Sequence, residues 1–220
     1  MFVRDYMTRH PMMAEPDMPA VDAQRLMTEA RIRRLPVVGD GKRLLGLVTR
    51  QSLLVDPGKL GSLNMWDIAS YLSGLTLKDV MLKAADVVTV GPDLTIEEAA
   101  RIMVEKKIGC LPVLDAERGV VVGIITETDL LAQLASMMDL RCPGVRATVR
   151  MPTDLVGGLA RLVNAVAVKG WGINALGGSV YPKDPAQWDA VIKIEGVTKA
   201  EMIAVLQQVK DEEVVDVREI

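Results

Sequence analysis

Apolar residues fall into the same order of spacings twice along the first 140 residues. Ala20, Ala23, Met27 and Ala30, with Leu26 beside them, recur at helical spacing, and so do Ile96, Ala99, Ala100 and Met103. Each set makes one core-facing stripe on an amphipathic helix. A short apolar run opened by Pro36 or Pro112 follows each helix. A polar turn, Gly39 to Gly41 or Asp115 to Gly119, then leads to a second apolar run, Leu44 to Val48 or Val120 to Ile125. The predicted unit is strand, helix, strand, strand, helix. Met27 and Met103 read as gap-filling core residues.

The two units align residue by residue, which marks a duplication. VRDYM, from Val3 to Met7, matches LKDVM, from Leu77 to Met81, at an offset of 74. The offset becomes 76 at Pro16 and Pro92, stays 76 at Leu35-Pro36-Val37 and Leu111-Pro112-Val113, and reaches 77 at Gly46 and Gly123. Each slip falls in a polar or glycine-bearing stretch, where insertions are tolerated. The predicted divisions are residues 1–55 for the first copy, 56–76 for a bridging helix, 77–140 for the second copy and 141–220 for a further domain. Ser62 or Asn64 would cap the bridging helix, Met65, Ile68, Ala69 and Leu72 would form its apolar face, and Trp66 and Tyr71 would pack or meet a partner.

After Arg141-Cys142-Pro143-Gly144 the periodicity restarts. Ala147, Val149 and Met151 alternate with Thr148 and Arg150, as in a half-buried strand. A glycine turn, Asp154 to Leu159, enters a helix reaching about Lys169. Ile173 to Ala175 and Ala190 to Ile194 read as strands, Thr198 and Glu201 as a capping box before a second helix, and Glu213 to Val217 as a closing strand. The predicted order is β-α-β-β-α-β, so the whole chain is of the α+β class.

Half of the 220 residues are hydrophobic, enough for a sizeable core, and the formal net charge is only −3. The first 76 residues carry ten basic against eight acidic residues, and nothing resembles the basic stripe that duplex nucleic acid requires. Stretches without charge, such as Gly170 to Pro182, are too short and glycine-rich for a membrane span, and Met1 to Asp5 do not begin a secretory signal. Cys110 and Cys142 form no C-x-x-C and have no histidine nearby, as in a reduced cytoplasmic protein without bound metal. His10 is the only histidine, beside Pro11 in a loop-like stretch, and is expected to face solvent. No nucleophile has a paired base, so no catalytic residue is assigned.

The chemistry concentrates where the last strand of each copy meets the next helix. In GIITETDLL, Thr126 stands at the helix entry and Asp129 one turn on. A helix start offers unpaired N–H groups and a positive dipole end, which suit a phosphate. Thr126 adds a hydroxyl, and a carboxylate three residues later can accept from the adjacent hydroxyls of a ribose. The same Thr-x-x-Asp is also the pattern of a plain helix cap. Thr49 recurs in the other copy, GLVTRQSLL, but Ser52 stands where the carboxylate would be. Arg31, Arg33 and Arg34 cluster just before Leu35-Pro36, as an anion site or as a solvated helix end.

LPVV with GLVTRQSLL and LPVL with GIITETDLL resemble a pair of CBS motifs forming a Bateman module over about residues 1–136. The resemblance implies two stacked β-α-β-β-α repeats with two clefts for adenosine-containing ligands. It assigns Thr126 to phosphate and Asp129 to ribose, with Val87, Val88 and Thr89 and with Ile108, Cys110 and Pro112 around the base. It pairs Thr49 and Ser52 with Met12, Met13, Ala14, Ile32, Arg34 and Pro36 in a weaker second site, because a serine makes one modest bond where a carboxylate makes two charge-assisted ones. Asp154-x-x-Gly157 and Gly172-x-Asn174 resemble an ACT domain, which implies a ligand site at Asp154, Gly157 and Asn174 or pairing between subunits. Together with LTLKDVM and RIRRLPVV, the arrangement resembles the AcuB-like family. That family implies a non-catalytic cytoplasmic regulator, homodimeric, with AMP, ADP, ATP or S-adenosylmethionine as candidate ligand, no obligatory cofactor and an unknown regulated protein. The alternatives are an oligomerisation or scaffold protein with vestigial clefts and an amino-acid sensor of the ACT type.

Overall fold

The computed structural model describes residues 1–53 and 74–220. The predicted bridging helix, with Ser62, Asn64, Trp66 and Tyr71, lies outside the described residues. The chain forms two compact units, Met1–Leu130 and Leu131–Ile220.

In the first unit the helical stripes become helices, α2 (Ala20–Glu29) and α4 (Ile96–Lys106). α2 buries Ala23 and Met27, and α4 buries Ile96, Ala99 and Met103, as the spacing requires. Thr95 starts α4 by accepting a bond from the Glu98 amide at 3.2 Å. The apolar runs form antiparallel pairs, β2 (Arg34–Val38) with β3 (Leu44–Thr49) and β5 (Cys110–Leu114) with β6 (Val121–Thr126). Pro36 and Pro112 fall on β2 and β5, the outer strands of their sheets, where a missing N–H is tolerated.

The opening segments of the two copies are exchanged. The chain begins with one helical turn, α1 (Val3–Tyr6), and a two-residue strand, β1 (Thr8–Arg9); the second copy begins likewise with α3 (Leu77–Val80) and β4 (Leu82–Lys83). β1 pairs with β6 of the second copy, placing Arg9 opposite Gly123, and β4 pairs with β3 of the first, placing Lys83 opposite Gly46. The sheets are therefore β1-β6-β5 and β2-β3-β4. Val3 is fully buried among Ile96, Ala99, Met103, Leu111 and Ile125 of the second copy. Its counterpart Leu77 is fully buried among Ala23, Met27, Leu35 and Val48 of the first. Leu47 packs with Val87, Cys110 and Ile124 in a third cluster shared by both copies.

This exchange explains the glycine at the start of each repeated GLVT and GIIT. A Cβ on Gly46 would stand 2.5 Å from the Leu82 carbonyl oxygen and 2.6 Å from the Met81 sulfur. One on Gly123 would collide with the Met7 sulfur and lie 3.1 Å from the Thr8 oxygen. The incoming strand of the other copy fills the space a side chain would take.

The second unit has the order β7 (Val145–Pro152), α6 (Gly158–Ala167), β8 (Ile173–Val180), β9 (Gln187–Ile194), α7 (Lys199–Leu206), β10 (Glu213–Glu219). Its four strands form one antiparallel sheet, β10-β7-β9-β8, with the first and third strands central. β7 alternates buried and half-buried residues along its length, and Val145, Ala147, Val149 and Met151 pack with Leu162, Val166, Met202 and Leu206 of the two helices. Gly157, at φ 79°, supplies the left-handed turn into α6. Thr198 and Glu201 close a capping box on α7, with the Thr198 amide donating to Glu201 at 2.8 Å. Lys193 is fully buried and its ammonium donates to the carbonyl oxygens of Asp139 and Cys142, which satisfies a charge otherwise costly to bury.

Gly46→Ala is expected to cost about 2 kcal/mol, because a backbone oxygen cannot move aside as a side chain can. Gly91→Ala, where a Cβ meets nothing within 4 Å, should stay within about 0.5 kcal/mol of the parent. Chemical denaturation of both variants measures the difference, and equal midpoints would contradict the exchanged-strand packing.

Candidate functional site

β6 ends at Thr126 and α5 (Glu127–Met137) begins at the next residue. The Thr126 amide and hydroxyl both donate to Asp129 Oδ2, at 2.8 and 2.7 Å, and the Asp129 amide donates back to Thr126 Oγ1 at 3.4 Å. The two residues are thus a helix cap, and the cap fixes the carboxylate in place. Only Oδ2 is used. Oδ1 has no protein partner among the described residues and is the oxygen open to a ligand.

The first copy reproduces the cap with less to spare. The Thr49 amide donates to Ser52 Oγ at 3.0 Å, the Ser52 amide donates to Thr49 Oγ1 at 3.1 Å, and the Ser52 hydroxyl donates to the Thr49 carbonyl at 2.9 Å. The single side-chain oxygen of Ser52 is donor and acceptor within its own turn. A serine here keeps the local geometry but has no second oxygen for a ribose.

Thr126 and Thr49 each border a cleft built from both copies. The larger, about 520 Å³, holds Ile124, Thr126, Glu127, Thr128, Asp129 and Gly109 of the second copy. Facing them are Thr8, His10, Pro11, Met12 and the run Ala30, Arg31, Ile32, Arg33, Arg34 of the first. The smaller, about 390 Å³, holds Leu47, Thr49, Arg50, Gln51 and Arg34 of the first copy. Leu82, Asp86, Val87, Val88, Lys107, Ile108, Gly109 and Cys110 of the second face them.

The residues named from sequence are therefore brought together in a different grouping. Thr126 and Asp129 share their cleft with Met12, Ile32 and Arg34, whereas Val87, Val88, Ile108 and Cys110 line the cleft of Thr49. The exchange of opening segments accounts for Met12, Val87 and Val88, which follow the entry strands onto the other copy, while Cys110 stays opposite Thr126 and Arg34 opposite Thr49 in their own sheets. Ala14 is buried in the first copy's core, and Met13 and Thr89 line neither cleft. Pro36 and Pro112 serve through their carbonyls, which accept from the Ala14 amide at 3.0 Å and the Val90 amide at 3.1 Å.

Both clefts are rich in cations: Arg31, Arg33 and Arg34 line the larger with Glu127 and Asp129, and Arg34, Arg50 and Lys107 line the smaller with Asp86. His10 lines the larger cleft while remaining exposed, and its ring makes no hydrogen bond among the described residues. Arg34, half-buried, lines both clefts; a Cβ on Gly109 would lie 3.1 Å from its Nη2 and 3.0 Å from Glu127 Oε2. Burial pushes the Cys110 thiol above its ordinary pKa, with Arg34 opposing the shift. The other thiol, Cys142, is exposed and is raised chiefly by its hydrogen bond to Asp139.

In the second unit, Asp154 and Gly157 do not meet Asn174. β7 ends at Pro152, opposite Gln187, whereas Ile173 at the start of β8 lies opposite Ile194. Seven residues of β9 separate these rows, about 23 Å at the rise of an extended strand. Asn174 is engaged with Glu195, accepting from its amide at 2.9 Å. Within one chain the three residues make no common site. Among the described residues there is no group of three or more potential metal ligands, and no helix is long and apolar enough to cross a membrane.

The protein-family model described as CBS domain matches residues 3–59 and 77–136. Among solved structures, a Vibrio cholerae protein described as a putative acetoin utilization protein (AcuB) superposes with a TM-score of 0.52 at 34% identity, covering 64% of this chain and 95% of that one. The CBS-pair protein CBSX2 of Arabidopsis thaliana, in complex with AMP, superposes with a TM-score of 0.51 at 28% identity, covering 61% and 96%. An uncharacterized protein of Methanocaldococcus jannaschii is 33% identical over 135 residues, 60% of this chain and 47% of its own length. The inosine-5'-monophosphate dehydrogenase of Korarchaeum cryptofilum is 36% identical over 128 residues, 58% and 22%. The chain thus spans less than half the length of these curated relatives.

The two thiols should differ sharply in reactivity. Cys142 is expected to react with Ellman's reagent first, slowed at pH 8 by its raised pKa and faster as the pH rises, and Cys110, only 4% exposed, only at the rate of unfolding. Two fast equivalents per chain would contradict the packing around Cys110.

Proposed function

This chain belongs to the CBS-domain family, and on that premise we propose that it is a non-catalytic regulator which senses an adenosine-containing nucleotide in the cleft of Asp129. One observation carries the reading: a capped carboxylate with a free oxygen, a threonine at a helix start, and three arginines line the same cleft. The carboxylate suits the two hydroxyls of a ribose, and the helix start and arginines suit phosphate. Met12, Ile32 and Ile124 offer apolar contact to a base. The AMP complex of CBSX2 supports the ligand class for a related pair.

The cleft of Thr49 is the weaker nucleotide site on this reading, since Ser52 spends its hydroxyl within its own turn. AMP, ADP, ATP and S-adenosylmethionine are the candidate ligands, and the arginines favour those that carry phosphate. Because both copies line the cleft, a ligand that prefers one arrangement of the two would shift that arrangement and, through it, dimer geometry or affinity for a regulated protein. The β-α-β-β-α-β unit at residues 141–220 is read as an ACT-like domain that pairs with another copy. Its separated Asp154 and Asn174 argue against a ligand held within one chain.

Thermal shift with AMP, ADP, ATP, S-adenosylmethionine, NAD and amino acids tests the proposal. A ligand at a hundred times its dissociation constant adds about 2.7 kcal/mol. At least one adenine nucleotide should raise the midpoint, and Asp129→Ala should remove the effect while Ser52→Ala leaves it. No response to any adenosine compound would overturn the reading.

A further inference from the structure

The helix α5 begins in the first unit and ends in the second, since the two divide after Leu130. Its start is the Thr126–Asp129 cap. Its end is a complete Schellman turn, in which the Leu140 amide donates to Ala135 O at 3.1 Å and the Asp139 amide to Ser136 O at 3.0 Å. Asp139, at φ 51°, takes the left-handed position that glycine normally fills. It is one of six non-glycine residues with positive φ among those described, Arg31 at φ 53° after α2 being another. A side chain in this conformation is destabilising relative to glycine.

At Asp139 that cost is met by one side chain of the second unit. Lys193, on β9, is fully buried, and its ammonium donates to the carbonyl oxygens of Asp139 and Cys142, at the carbonyl end of α5 where a cation is favoured. Asp139 Oδ2, buried and without a hydrogen bond among the described residues, stands 3.5 Å from the same nitrogen. The segment around these carbonyls lies close against the sheet. A Cβ on Gly177 would meet the Met138 sulfur at 3.6 Å, and one on Gly144 would stand 2.8 Å from the Ile194 oxygen and 3.0 Å from Lys193 Cε. A buried ammonium is tolerated only with its partners in place, so it selects one path for the chain where an apolar side chain would accept several. We propose that Lys193 is the coupling residue of this chain: it fastens to β9 the far end of the helix whose start carries the Asp129 cap, and through that helix a nucleotide at the cap tightens the fastened turn. Only the transmission rests on the nucleotide reading; the fastening stands without it.

Hydrogen exchange followed by mass spectrometry, on the full chain and on Lys193→Met and Asp139→Asn, tests it. Without ligand, the amides of residues 139–142 should exchange about tenfold faster in Lys193→Met. They should also exchange faster, by a smaller factor, in Asp139→Asn, which tolerates the left-handed turn and keeps the lysine. Unchanged exchange there in both variants overturns the proposal. With AMP, the parent should gain protection at residues 127–130 and at 139–142, whereas Lys193→Met should still bind AMP, keep the first gain and lose the second. Protection confined to 127–130 in the parent, or equal at 139–142 in both proteins, overturns the transmission. A parent that binds no AMP sinks the nucleotide reading and the transmission with it, while the ligand-free exchange still decides the fastening.

Discussion

The structure of the first unit depends on the reciprocal burial of Val3 and Leu77. Each sits at the start of one copy and is fully buried in the core of the other. A copy lacking its partner would lose a core side chain, the third strand of its sheet and the packing of Leu47, Val87, Cys110 and Ile124. Burying a side chain of this size is worth about 2 kcal/mol, and the exchange supplies it twice. Gly46 and Gly123 are the sequence's accommodation to that contact.

The composite clefts follow from the same exchange. Because the entry segment of each copy runs along the other's sheet, the residues after it and after the first long helix of that copy line a cleft with Thr126 or Thr49 of the other. Asp129 thereby shares a cleft with Arg31, Arg33 and Arg34, and Thr49 shares one with Lys107. Two equivalent frames then carry different chemistry. In one the cap leaves a carboxylate oxygen free, and in the other the cap uses the whole serine hydroxyl. The asymmetry therefore resides in one side chain, at positions 52 and 129, on a backbone that the duplication keeps alike.

Much of this was legible from residue order. The offset between VRDYM and LKDVM, the stripes at Ala23 and Met27 and at Ala99 and Met103, and the alternation from Ala147 to Met151 are local patterns that tertiary packing reinforces. The Thr-x-x-Asp at Thr126 was readable both as cap and as site, and the geometry is that of a cap whose second oxygen is free. What could not be read was which sheet each entry strand joins, because two-residue strands such as Thr8–Arg9 carry no periodicity of their own. The clefts instead group Val87 with Thr49, while Cys110 stands opposite Thr126 in the β5–β6 pair and also lines the cleft of Thr49. The repeated glycine was the available signal, since a strand interior has no local need for Gly46 or Gly123. Asn174 was paired with Asp154 on motif alone, and strand register sets them at opposite ends of the sheet.

A calorimetric titration of AMP into the protein and into Arg31→Gly tests most directly whether both copies build the nucleotide cleft. The account predicts tight binding at one site per chain, weakened about tenfold in Arg31→Gly, although Thr126 and Asp129 are untouched and the glycine removes backbone strain. Equal affinity in the two proteins would contradict it.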